Sequence, residues 1–143
     1  MNSYIIKFTV IILICCINQL GTEAAQPKAD IIVYGDAAVG VAAAVQAARM
    51  EKSVILISQY GHLGGMSSSG LGWTDIGNSE ILGGISREFY HRLYRYYQKS
   101  DAWVQQRKNE FPEKGQGAPA FDKTTQLASV FEPKAARMLF KQL

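Results

Sequence analysis

An α/β fold built on a doubly wound parallel sheet follows from three features of the sequence: two short β-branched runs, an alanine-rich stretch between them, and a glycine turn joining the first run to that stretch. The first run, Asp30-Ile31-Ile32-Val33-Tyr34, ends at Gly35 and has the brevity of a strand buried on both faces. From Val39 to Met50 the chain is nearly all Ala and Val, broken by Gln46 and Arg49, and such small side chains let a helix lie close on a sheet. Glu51-Lys52 turn the chain into a second run, Ser53-Val54-Ile55-Leu56-Ile57. Residues 30–58 thus read as a β-α-β unit, and a right-handed crossover makes its strands parallel.

Residues 61–84 shift to glycine, with Gly61, Gly64, Gly65, Gly70, Gly72, Gly77, Gly83 and Gly84 among Ser, Thr and Asn, a composition of loop and not of core. A helix is predicted over 86–98: Phe89, Leu93 and Tyr97 share one face, Arg87, Arg92 and Arg95 lie on others, and Ser86 is placed to cap it. Lys108 to Thr125, with Pro112, Gly115, Gly117 and Pro119, reads as an exposed excursion. A last helix over 133–143 starts at Pro133, a good first-turn residue, and places Ala136, Leu139, Phe140 and Leu143 at helical spacing.

A composition 48% hydrophobic and 19% charged belongs to a globular chain, and 143 residues suffice for one domain. The net charge of +3 is scattered with no run of like charges, which leaves no electrostatic footprint for nucleic acid. At the N-terminus Lys7 precedes an apolar stretch from Phe8 to Ile17, followed by the small residues Thr22, Ala24 and Ala25. This predicts a signal peptide over residues 1–24 and an exported mature chain from residue 25, without a stable membrane anchor, because Asn18, Gln19 and Glu23 interrupt the apolar stretch. Cys15 and Cys16 both lie inside that segment, so the mature chain carries no disulfide, thiolate metal site or cysteine nucleophile. His62 and His91 stand on separate elements and offer no metal site.

A strand that enters a glycine turn and then a helix aims the helix's unpaired N–H groups and positive dipole end at the space above the strand, where a pyrophosphate binds. Gly35 and Gly40 are the first and third glycines of a G-x-G-x-x-G pattern, and Ala37 stands where the middle one belongs. The expected fold is therefore Rossmann-like, of the FAD or NAD(P)-binding type.

The run Gly61-His62-Leu63-Gly64-Gly65-Met66-Ser67-Ser68-Ser69-Gly70-Leu71-Gly72-Trp73-Thr74-Asp75-Ile76-Gly77-Asn78, followed by Gly83-Gly84-Ile85-Ser86-Arg87-Glu88-Phe89-Tyr90, resembles a family of FAD-dependent oxidoreductases that includes flavin subunits related to heterodisulfide reductase. The resemblance covers about Asp30 to Glu88, with a fainter echo at Phe131-Glu132-Pro133. It implies FAD as cofactor, an unidentified small-molecule substrate, and a chain that is the first part of a larger flavin domain. The cofactor contacts it implies are Gly35, Ala37, Ala38 and Gly40 in the first turn, Ser58 and Gln59 after the second strand, and Gly64, Gly65, Met66 and Ser67 in the second loop. A second glycine loop gives extra backbone amides to an extended dinucleotide, a need a plain NAD domain lacks.

Two residues depart from the family pattern. Asp36 follows the first glycine where the family has Gly, and its charge must turn outward or it opposes the pyrophosphate and weakens affinity. Ser58 stands where the fingerprint carries an acid for the ribose hydroxyls. On this reading Asp36→Gly and Ser58→Glu should each tighten FAD. His62 is expected to make a backbone hydrogen bond, while Asp75 and Arg87 either reach the flavin or order the loop. No catalytic residue is identifiable, and two alternatives stand beside the flavoprotein reading: a non-catalytic remnant and an NAD(P)-binding dehydrogenase domain.

Overall fold

The computed structural model describes residues 26–111 and 118–143. The segment 1–24, expected to be a signal peptide, and the residues around Gly115 and Gly117 lie outside these. Strand β1 (Ile31–Tyr34) leads through the glycine turn into helix α1 (Ala38–Arg49), and strand β2 (Val54–Ile57) returns parallel to β1 with Ile31 opposite Val54 and Tyr34 opposite Ile57. The β-α-β unit is present as the sequence implies. Among the described residues the parallel sheet has these two strands, so its extension into a doubly wound sheet is a matter for proposal.

At the N-terminal end of the strand pair an aspartate and a serine clasp each other. Ser53 N–H and Ser53 Oγ donate to Asp30 Oδ2 at 2.8 and 2.7 Å, and Asp30 N–H donates back to Ser53 Oγ at 2.9 Å. These donors hold the Asp30 carboxyl below the ordinary carboxylate range, the side-chain bond from Ser53 contributing most. The fold of α1 onto β1 is close: a Cβ at Gly40 would lie 2.2 Å from the carbonyl oxygen of Gly35, so only glycine fits there.

The apolar core is centred between helix α3 (Gly84–Tyr96), the hairpin β3 (Phe121–Asp122) and β4 (Leu127–Ala128), and helix α4 (Pro133–Phe140), and α1 joins it through the buried Val41. The predicted α3 face is the one buried, with Leu93 fully enclosed and Phe89 and Tyr97 beside it. Phe89 stacks on Phe140 at 4.3 Å between ring centroids and meets Phe131 edge-on at 5.9 Å, contacts that add about 0.5–1.5 kcal/mol each beyond area burial. Tyr97 accepts a 2.7 Å bond from Glu132 N–H at its hydroxyl, and burial pushes that hydroxyl up to about 12. Glu88 ties α3 to α1 through Arg49 at 2.8 Å and pairs with Arg92 at 2.6 Å on its own helix.

Four expectations are corrected. Helix α3 begins at Gly84 and is preceded by Gly83, so Ser86 lies inside the helix and is not its cap. The glycine segment is not all loop: Met66–Ser69 form the one-turn helix α2, because the Ser68 hydroxyl donates to Leu63 O at 2.5 Å and closes the turn from within, burying Ser68 completely. The region from Lys108 to Thr125 is not all exposed excursion, since Ala120 is buried and Phe121 packs on Tyr97, Trp103 and Phe111. Helix α4 stops at Phe140, short of Leu143. No described helix is long and apolar enough to cross a membrane.

Candidate functional site

The site is the mouth where β1 and β2 end. Gly35 N–H donates to Ile57 O at 3.0 Å, which closes the strand pair, and the backbone then swings through Asp36 and Ala37 into α1. The first helical bond of α1 runs from Val41 N–H to Ala37 O, so the amides of Ala38, Val39 and Gly40 have no partner within the helix. Ala37 supplies no side-chain cap, and the first turn holds no acidic residue. A twelve-residue helix thus presents free donors and the positive end of its dipole at the mouth.

The second glycine loop comes to the same place. Gly64 N–H donates to Asp36 O at 2.7 Å, and Ala37 and Gly64 form a parallel bridge. Gly64 and Gly65 both have positive φ, at 103° and 55°. A Cβ on Gly64 would strike the Phe140 ring at 2.3 Å, so α4 holds the loop from behind through its own last aromatic residue. A Cβ on Gly65 would lie 3.2 Å from Ala37 Cα and 3.3 Å from Ala37 Cβ. The methyl group that replaces the missing middle glycine is therefore accommodated by a glycine on the opposite loop. Arg137 of α4 adds a 3.1 Å bond from Nη2 to Ser68 O.

The residues singled out in the sequence fall into two groups. Gly35, Ala37, Ala38, Gly40, Gly64 and Gly65 form one continuous backbone surface, with Met66 exposed at the start of α2 and Ser67 half-buried after it. Ser58 and Gln59 follow β2 on the other side of the turn and are exposed. His62 Nδ1 lies 3.3 Å from Tyr60 O, the backbone contact expected of it. Asp75 is exposed and Arg87 donates to Thr125 O of the hairpin at 3.4 Å.

Asp36 does not stand as the sequence suggests. The Ser58 hydroxyl donates to Asp36 Oδ2 at 2.8 Å and Tyr60 N–H donates to the same oxygen at 3.0 Å, while Asp36 is only 9% exposed. The carboxylate is drawn to the residues that follow β2. Those donors, Tyr60 N–H first, hold its carboxyl below the usual range, so it is charged at neutral pH. Of the two outcomes the sequence leaves open, an outward-turned carboxylate or a weakened pyrophosphate site, the side chain takes the first, turned toward Ser58 and Tyr60.

Across this geometry the comparison with known families is decisive: the model of FAD dependent oxidoreductases matches residues 30–143. The chain belongs to the FAD dependent oxidoreductase family. The match takes in the glycine turn, the second loop, α3, the hairpin and α4, all the elements that build and brace the mouth. No curated protein and no solved structure matches the chain.

A second concavity of about 490 Å³ lies between Asn78, Ser79 and the β3–β4 turn. Asp122 faces Ser79 Oγ at 2.8 Å and Thr125 Oγ1 at 2.6 Å, and these donors, Thr125 first, bring its carboxyl from 3.8 to about 2. Its lone pairs are occupied in shaping the turn, where Thr124 N–H and Thr125 N–H also bond Oδ1. In this member of the FAD dependent oxidoreductase family the concavity is accounted for by the bonds that shape the turn.

Proposed function

We propose that the mouth between Gly35–Gly40 and Gly64–Ser67 binds FAD, and that the protein is the FAD-binding portion of an exported oxidoreductase acting on a small-molecule substrate. The observation that carries this reading is the meeting of the two glycine elements, Gly64 N–H on Asp36 O, at the open N-terminus of α1. One glycine turn suffices for a pyrophosphate; two that are hydrogen-bonded to each other offer a longer backbone surface, suited to an extended dinucleotide. The residues fit the group: among the described residues the amides of Ala38, Val39 and Gly40 make no backbone hydrogen bond, and Ala37 is accommodated by the absence of a side chain at Gly65. When bound, the flavin supplies hydride or electron transfer, and the protein supplies binding and electrostatics.

The Gly64-Gly65-Met66 stretch supports kinship with the flavin subunits related to heterodisulfide reductase, and Lys7 with Phe8–Ile17 supports export. A doubly wound sheet is supported by the apolar side chains that the strand pair leaves in solvent, Ile32 at 60% and Tyr34 at 74% exposure, which a wider sheet with helices on both faces would cover. The proposal implies that this chain loses flavin during washing and is best assayed at equilibrium. Titration of the purified protein with FAD and, separately, with NAD+ tests it. Saturable quenching of flavin fluorescence with no response to NAD+ is the expected result. Binding of NAD+ without FAD would replace the reading with a nicotinamide dehydrogenase domain, and binding of neither would make the chain a non-catalytic remnant.

A further inference from the structure

In dinucleotide-binding folds the adenosine ribose is held by an acidic side chain at the end of the second strand. Here β2 ends at Ile57 and the next residue is Ser58. Ser58 brings no charge to that work, and its hydroxyl, which donates to Asp36 Oδ2 and accepts from Gly61 N–H at 3.2 Å, keeps one neutral lone pair. What does reach the end of β2 is the carboxylate of Asp36, carried there from the β1–α1 turn, 22 residues earlier in the chain.

The placement is built, not incidental. A side-chain hydroxyl from Ser58 and a backbone amide from Tyr60, two residues apart after β2, converge on one oxygen, Oδ2. The Asp36 carbonyl is pinned at the same time by Gly64 N–H at 2.7 Å, so backbone and side chain are both held. Ser58 and Tyr60 both bond Oδ2, the amides of Asp36 and Gln59 also face the carboxylate, and no fully buried side-chain oxygen among the described residues lacks a partner, so Oδ1 keeps an edge in solvent with room for a further donor. An ionised oxygen with open lone pairs accepts strongly from a pair of vicinal hydroxyls.

We propose that Asp36 is the ribose-recognising carboxylate of this protein, supplied by the first glycine turn in place of an acid on β2, with Ser58 and the Tyr60 amide as its positioning groups. The proposal rests on the FAD reading above. It exchanges the roles that the sequence assigns: Asp36 is a contact and not an obstacle, and Ser58 supports it. It also reverses the expectation for Ser58→Glu, which alone would set a second carboxylate against the first.

Adenosine diphosphate and its 2′-deoxy analogue, titrated calorimetrically into the purified protein, isolate the ribose. The protein should bind ADP roughly tenfold more tightly than 2′-deoxy-ADP, the worth of one hydrogen bond to a charged group. Asp36→Ala should weaken ADP by a similar factor and abolish the discrimination, with an unchanged circular dichroism spectrum. Ser58→Ala should weaken ADP by less, and the double variant Asp36→Gly, Ser58→Glu should restore both affinity and discrimination by moving the acid to β2. Discrimination that persists in Asp36→Ala, or ADP that binds more tightly to it, would overturn the proposal while leaving the FAD reading intact. If the unaltered protein binds neither FAD nor ADP, the FAD reading fails and the proposal falls with it.

Discussion

Residues 84–143 and residues 30–65 are held together by different forces. In the later region Leu93, Leu127, Ala128, Ala136 and Phe140 are all buried, and Phe89, Phe131 and Phe140 form one aromatic cluster. In the earlier region Ile31, Ile32, Tyr34 and Ile57 stand exposed on a two-stranded sheet whose ends are closed by aspartate–serine clasps, Asp30 with Ser53 and Asp36 with Ser58. The later half is an apolar core, and the earlier half is a scaffold of backbone contacts anchored to it by Val41, by α4 and by the Arg49–Glu88 pair. Stability and cofactor geometry are thus separable: the core holds the fold, and the mouth depends on close glycine approaches and polar clasps.

The largest effect should come from the core. Leu93→Ala removes a fully buried side chain and should cost roughly 2–5 kcal/mol in denaturant melts. Ile32→Ala, on the exposed strand, should cost about 0.5 kcal/mol. Equal costs would erase the contrast between the halves and point to strands covered in solution, by self-association for example.

Next in size is the mouth. Gly40→Val forces a Cβ against Gly35 O and should cost about 1–3 kcal/mol by overpacking while abolishing the response to FAD. Gly70→Ala, where the added carbon meets nothing within 4 Å, should change stability by less than about 0.5 kcal/mol and leave FAD titration unaltered. If the two substitutions behave alike, the close approach of α1 to β1 is not what shapes the site.

The smallest effect is on acid stability. Asp122 has its carboxyl depressed to about 2 from an ordinary 3.8, so the stabilisation from its ionised form is complete above the ordinary value and is lost as pH falls toward about 2. Asp30 and Asp36 are depressed in the same direction and act in the same acid window. Melts at about pH 5 and about pH 3 should show a shallower acid loss for Asp122→Asn than for the unaltered protein. An acid loss of the same depth in both would remove the β3–β4 turn from the titrating groups.

The strand pair, the glycine turn and the buried face of α3 were legible because each is local: β-branched runs, a fixed glycine spacing, and apolar residues one helical turn apart. The β3–β4 hairpin was not, since each strand is two residues long and carries no alternation to read. Its one usable signal was Asp122 followed by Thr124 and Thr125, whose amides it caps. The pairing of Asp36 with Ser58 joins residues 22 positions apart and depends on the parallel register, so both looked like defects when read singly. The complementarity of Ala37 and Gly65 was hidden in the same way: the methyl group at one position lies against the position that has no side chain.

Backbone amide resonances of the protein, followed by NMR during FAD titration, report on the mouth most directly. Binding at the meeting of the two glycine elements requires that the amides of Ala38, Val39, Gly40 and Gly65 shift together and saturate at one concentration, while those of Leu127 and Ala136 in the core stay still. Shifts confined to the Ser79–Asp122 concavity, or none at saturating FAD, would contradict the assignment of this mouth to the cofactor.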